Sequence, residues 1–316
     1  MDMKALSEWT LEILRRADFE AAGIRSTRSM NFDLVARRDD LLTLIKLMED
    51  RRKFSTRDSS DMRYLSRVLS ASPLLLVPSP QGDLQDGVLS LSHGIPTMTL
   101  ATLKEHLIED VPPMVYTSSG GHYVALDGER MRRARERSGI SLGALAKDVG
   151  VSRRAVQMYE SGMGADLEIA IRIEEALKVT LILPLDPFSR SEELDEIRDS
   201  MSRGEELSSE VLEHLDRIGM EVIPTPKCPF DALTRAEGEM FMTSIGDPGA
   251  SINRLGTTLS NISRVTGNES FIVTTGPVKA RNIAGTPLIS AREVKDSRDI
   301  NELVDLIRHR RKIGRR

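Results

Sequence analysis

Cysteine occurs once in this 316-residue chain, as Cys228, so an internal disulfide or a cysteine metal cluster is excluded, and a reducing compartment is expected. A large charge excess is also missing. The formal net charge of −4 rules out a chain that coats nucleic acid or acidic membranes along its whole length, so any such contact must be local. Long apolar runs are absent too. Leu74–Val77 and Val179–Leu183 are far too short to span a bilayer, and the opening MDMKALSEW has no signal-type apolar segment. These features predict a cytoplasmic protein with no membrane partner. What remains is a globular composition in a chain too long for one ordinary core, so two or three domains are expected.

Internal similarity organises the chain. Leu11–Ile24 (LEILRRADFEAAGI) reads like Leu212–Ile223 (LEHLDRIGMEVI), and Phe32–Leu42 lines up without a gap on Phe230–Met240. Leu65–Val68 (LSRV) matches Ile262–Val265 (ISRV), and Gly94–Leu103 matches Gly285–Val294. All four pairs run in the same order, which predicts a duplication with one copy on each side of a central segment.

Each copy reads as an amphipathic helix (Leu6, Trp9, Ile13 and Leu14 in the first), a short strand, and strand-like runs at Phe32–Arg37 and Leu41–Met48. A helix carrying Met62, Leu65, Val68 and Leu69 follows, then the apolar strand Pro73–Val77 and a strand near Pro96–Leu100. That order resembles the restriction-endonuclease-like fold over roughly Ala5–Leu107 and Glu206–Ile307. The resemblance implies a site in which two carboxylates hold a divalent cation and a lysine stabilises charge at the attacked group. Asp33 and Lys46 stand in suitable places in the first copy, but Leu44, two residues before the lysine, cannot ligate magnesium. In the second copy Asp231 survives while Met242 and Ser244 replace the other two. Glu12 is the conceivable rescue in the first copy. The sequence therefore predicts a degenerate site and no enzyme, the alternative being a metal-dependent nuclease using Asp33 and Lys46.

The central segment carries more. Asp127 precedes a helical pattern, Arg130–Arg137; Ser141 is an N-cap for Leu142–Val149; Gly150 supplies a tight turn; Ser152 caps Arg153–Ser161; and Leu167–Leu177 has apolar residues at helical spacing. Two short helices joined by a glycine turn suit a major groove about 12 Å wide. The stretch RRARERSGISLGALAKDVGVSRRAVQMYESG, with ADLEIAIRIEEALKV after it, resembles the helix-turn-helix domain of the lambda repressor and Cro family over about Glu129–Val179. The three-part arrangement looks like an archaeal family of Cro/C1-type transcriptional regulators.

The resemblance implies a role for each position. Ala146, Val156 and Tyr159 are core, and Arg135 pairs with Glu160 as a strut. Ser141 and Ser152 cap helices and meet phosphates. Arg153, Arg154, Gln157 and Met158 face outward as candidates for base edges. Eight Lys/Arg against two acids between Arg130 and Gln157 support a local DNA face, whereas Glu168, Glu174 and Glu175 point the next helix away from DNA. Leu142 stands where relatives often have a glutamine, and residues 162–166 hold no cation, so fewer phosphate contacts are expected. Two heads on one operator would compensate. The partners expected are thus double-stranded DNA at a pseudo-palindromic operator and a second copy of the chain, without cofactor or metal.

The expected architecture is multidomain α+β, with a central all-α helix-turn-helix domain between two duplicated α/β domains. Its boundaries are residues 1–115, 116–185, a linker 186–206, and 207–316 with a basic tail from His309. Glu109–Gly121 reads as a break before a short strand His122–Leu126. The tail reads as a disordered end or a minor-groove arm. Met240–Met242 reads as core rather than as a ligand site.

Overall fold

A computed structural model describes residues 2–24, 30–118, 121–189 and 209–313. The elements open with α1 (Met3–Arg16), β1 (Glu20–Gly23), β2 (Leu34–Arg38) and β3 (Leu41–Leu47). A 3-10 turn (Arg51–Lys53) leads to α2 (Thr56–Val68), β4 (Ser72–Val77), β5 (Val88–Ser92), β6 (Ile95–Thr99) and α3 (Leu100–Ile108). The middle holds β7 (Val115–Ser118), β8 (Gly121–Leu126), α4 (Gly128–Arg137), α5 (Leu142–Val149), α6 (Arg153–Glu160), β9 (Ala165–Asp166), α7 (Leu167–Leu177) and β10 (Ile182–Leu183). After residue 208 come α8 (Glu210–Arg217), β11 (Glu221–Pro224), β12 (Ala232–Ala236), β13 (Glu239–Gly246) and α9 (Ala250–Thr266). The chain continues through β14 (Glu269–Thr274), β15 (Asn282–Ile283), β16 (Thr286–Ser290), α10 (Ala291–Asp296) and α11 (Ile300–Ile313). The protein is thus mixed α/β with a helical centre.

Two compact units form, and they do not follow chain order. Of the described residues, one gathers those within 2–17, Leu47–Ser59 and Leu74–Ser189; the other gathers those within Asp18–Lys46, Ser60–Pro73 and 209–313.

In the first unit β4 runs parallel to β6, β6 antiparallel to β5, and β5 parallel to β7. β8 then pairs antiparallel with β7, β9 and β10. The apolar run predicted as a buried strand is that: Leu74, Leu75, Leu76 and Val77 are fully buried. β7 forms inside the segment read as a break, because Tyr116 pairs with Tyr123 across the β7–β8 ladder and their rings stack at 5.9 Å. α1 is capped by Asp2, whose carboxylate accepts from the Ala5 N–H at 2.7 Å, and it buries Leu6, Ile13 and Leu14.

The second unit holds the antiparallel meander β1-β2-β3 and a six-stranded sheet ordered β11-β12-β13-β14-β16-β15. β13, β14 and β16 are parallel neighbours. Phe241 and Phe271 meet edge-on at 6.1 Å in its core, with Leu215, Val273 and Leu303 around them. α9 packs on β13, β14 and β16 and also on β1 and β2. Across that contact the Arg37 guanidinium donates to the Thr266 carbonyl at 2.6 Å, and Arg264 pairs with Glu20 at 3.1 Å. The basic tail departs from expectation: residues 309–313 belong to α11 and Arg310 is buried, so this part is neither disordered nor a free arm. Of the linker 186–206, residues 190–206 lie outside the described residues, as do 314–316 of the tail; Phe188, at the linker's start, is buried at 6.0 Å from the His106 ring.

Candidate nucleic-acid interface

The helical centre is held by Leu145, Ala146, Val149, Val156, Tyr159, Ala170, Ile173 and Leu177, with Val124 and Leu126 of β8 closing it. Each helix starts where a short polar side chain satisfies an orphan N–H. Asp127 accepts from Arg130 N at 2.8 Å, Ser141 from Ala144 N at 3.1 Å, and Ser152 from Ala155 N at 3.0 Å. α5 ends on Gly150 in the left-handed conformation (φ 79°), whose N–H returns to the Ala146 carbonyl at 3.0 Å. That turn sets α6 against α5. At the other end of α6, a Cβ on Gly128 would lie 2.6 Å from the Tyr159 carbonyl oxygen, so only glycine lets α4 begin there.

Arg135 and Glu160 form the expected strut. Nε and Nη2 of the arginine donate to the two carboxylate oxygens at 2.6 and 3.1 Å, and Nη1 donates to the Ile140 carbonyl at 3.0 Å. Both side chains are about nine-tenths buried, and the hydrogen bond from Arg135 to Glu160 pushes the guanidinium pKa still higher. Two other arginines of α4 are drawn into surface pairs, Arg132 with Glu136 at 3.1 Å and Arg133 with Glu129 at 3.7 Å.

Four of the residues singled out for DNA contact share the outer face of α6. Arg153, Arg154, Gln157 and Met158 are all exposed, at the three- and four-residue spacings that share a helix face. Val156 and Tyr159 occupy the opposite, buried face. Among the described residues neither Arg153 nor Arg154 has a side-chain hydrogen bond or ion pair. Both occupy the first turn of α6, which holds no acid, so their charges oppose the helix dipole rather than complement it. Ser141 and Ser152 are exposed, and their caps use an oxygen lone pair, leaving each O–H free to donate. Lys147, also exposed, lies outside these six; charge is its only sequence signal.

The two departures from the family pattern have structural uses. Leu142 packs against the helical core. Ala165 and Asp166 form β9 on β8, and Asp166 caps α7 by accepting from Glu168 N at 2.9 Å. Glu174 accepts from Leu181 N and, at 2.9 Å, from Ile182 N, so it serves the local fold.

Two of the nuclease-like positions of the first copy, Asp33 and Lys46, also come together. Lys46 Nζ lies 3.1 Å from Asp33 Oδ2 and donates to the Met30 carbonyl at 2.7 Å. Leu44 is fully buried where the second carboxylate should stand, and Glu12 is exposed on α1. At the matching positions after residue 208, Asp231 accepts from Ile245 N at 2.7 Å, burial pushes its pKa up, and Ser244 is buried without a hydrogen-bond partner. No group of three or more metal-ligating side chains occurs among the described residues. A hard divalent cation does not fit this set.

Comparison with known proteins agrees with this geometry. Residues 3–113 match a PD-(D/E)XK superfamily domain and residues 131–183 a helix-turn-helix domain. A protein of Methanocella arvoryzae named "Putative HTH-type transcriptional regulatory protein" is 33% identical over 97% of this chain and 96% of its own. The chain belongs to the family of these archaeal HTH-type proteins. Two further members are also named as HTH-type transcriptional regulatory proteins: one from Archaeoglobus fulgidus, 38% identical over 76% of this chain and 77% of its own, and one from Pyrococcus abyssi, 32% identical over 97% and 98%. No solved structure matches the chain. No helix among the described residues is long and apolar enough to cross a membrane.

Proposed function

We propose that the chain is a sequence-specific DNA-binding transcriptional regulator that enters the major groove with α6. The observation that carries this reading is the outward pair Arg153 and Arg154, unpaired at the start of a fully capped helix in a helix-turn-helix match. Each guanidinium reaches guanine O6 and N7 with two hydrogen bonds, worth about 1–3 kcal/mol of discrimination. Gln157 pairs with adenine and Met158 meets a thymine methyl, while Ser141 and Ser152 donate to phosphates. Two copies on a pseudo-palindromic operator place half-sites about 34–36 Å apart, one helical turn. The protein works in the cytoplasm, where its DNA lies.

The domain reading is a reading head at 116–185 between α/β lobes at 1–115 and 207–316. A duplication of the lobes is supported by matching backbone bonds around the two aspartates. Ile24 N to Asp33 O and Asp33 N to Ile45 O, both 2.8 Å, correspond to Thr225 N to Asp231 O at 3.0 Å and Asp231 N to Thr243 O at 2.9 Å. The order helix, three strands, helix, strand recurs around them.

We take the lobes as non-enzymatic. The family match over 3–113 favours a nuclease ancestry, and Leu44 argues against a working metal site. Selecting bound fragments from random DNA, followed by footprinting, tests the regulator: a defined motif protected in two half-sites is expected, and protection without sequence preference contradicts it. Plasmid cleavage with Mg²⁺ or Mn²⁺ that is lost on Asp33→Ala would overturn the non-enzymatic reading.

A further inference from the structure

The carboxyl ends of the parallel strands β14 and β16 open into a cavity of about 540 Å³, closed by the loop after β14, the start of α10, and Arg310 from α11. In open α/β sheets that end of the strands is where ligands collect, and the volume falls within the usual range for a small-molecule site.

The lining is unbalanced in charge. Lys279, Arg281, Arg292 and Arg310 face one carboxylate, Glu293. That carboxylate is already committed. One oxygen pairs with Arg310, and the other accepts from Ser290 N at 2.9 Å and from Ser290 Oγ at 2.7 Å. Arg310 is itself buried, fixed by Glu293 and the Leu288 carbonyl, and forms a rigid floor. Arg292 keeps only a surface contact with Asp296 at 3.6 Å. Lys279 and Arg281 are exposed and have no side-chain hydrogen bond or ion pair among the described residues. Lys279 and Arg281 therefore line the cavity with no anion to answer them, which favours an incoming anion there. Pro277, Val278 and Ala280 add an apolar wall to the same cavity.

We propose that this cavity binds a small phosphate-bearing molecule of mononucleotide class, Lys279 and Arg281 clamping the phosphate while Pro277 and Val278 cover the apolar part. The site lies wholly in the second unit and does not depend on DNA reading by α6.

Titration calorimetry of the full chain with ADP, inorganic pyrophosphate and adenosine tests this. Saturable binding of ADP or pyrophosphate, one per chain, is expected, with none for adenosine. Lys279→Ala with Arg281→Ala should raise the Kd about tenfold or more, since charge-assisted hydrogen bonds are lost, without moving the melting temperature. Arg153→Ala with Arg154→Ala should leave this binding unchanged, which separates the site from the reading head. No saturable binding of either anion at millimolar concentration, or equal binding by the Lys279/Arg281 variant, overturns the proposal. So does a variant that weakens non-specific duplex binding while neither anion binds, because those cations would then serve nucleic-acid phosphates.

Discussion

Arg135 and Glu160 illustrate how one charge pair divides work with its neighbours. Because both side chains are nearly buried and doubly hydrogen-bonded, removing one leaves the other charged and stranded, at a cost of about 3–5 kcal/mol. Arg135→Ala should therefore unfold the helical centre at markedly lower denaturant, by circular dichroism, whereas Arg132→Ala should change little. At Cys228, burial pushes the thiol up to about 12, opposed in part by a hydrogen bond from Asn31 at 3.8 Å. An unfolded cysteine titrates near about 8.5, so this group's contribution is intact below that pH and is lost as pH rises toward about 12. Cys228 is half-buried, and the matching kinetic result is slower reaction with a thiol reagent at pH 8 in the native protein than in denaturant; equal rates would contradict the raised pKa. The strut could be read from the family resemblance. The thiol's environment could not, since Asn31 and Cys228 are 197 residues apart.

Among the elements, α6 trades stability for function. Two arginines at its positive end cost roughly 0.3–1 kcal/mol each against the dipole, so Arg153→Ala with Arg154→Ala should melt no lower than the native protein, and slightly higher at low salt. A lower melting temperature would assign them a structural role. Gly128 is the converse case. Gly128→Ala forces a Cβ against two carbonyl oxygens of α6 and should cost about 1–3 kcal/mol, read as a loss in urea midpoint. The helices α4 to α7 were legible because caps, glycine turn and apolar spacing are local signals that all agree. The small strands β7, β9 and β10 were not. Each is 2–4 residues long and exists because β8 offers it an edge, which no local pattern encodes.

At the scale of the whole molecule, the internal sequence similarity goes with the same order, helix, three strands, helix, strand, on both sides of the helical centre. It did not expose that the described residues of 18–46 are gathered with those after residue 208, because that grouping depends on α9 packing on β1 and β2. The cationic cavity was hidden for a similar reason: Lys279, Arg292 and Arg310 come from three separate segments, and one of them lay in a tail that reads as free. The likeness of residues 3–113 to a PD-(D/E)XK superfamily domain was legible, since the order of helices and strands carries it.

The central claim is that α6 reads bases through its two arginines. The most direct measurement is the ratio of Kd for a scrambled duplex to Kd for the selected operator, at one fixed salt concentration, in the native chain and in Arg153→Ala with Arg154→Ala. With about 1–3 kcal/mol of discrimination lost per arginine, the ratio should fall at least about tenfold while the variant stays folded. An unchanged ratio in a folded variant would contradict the account.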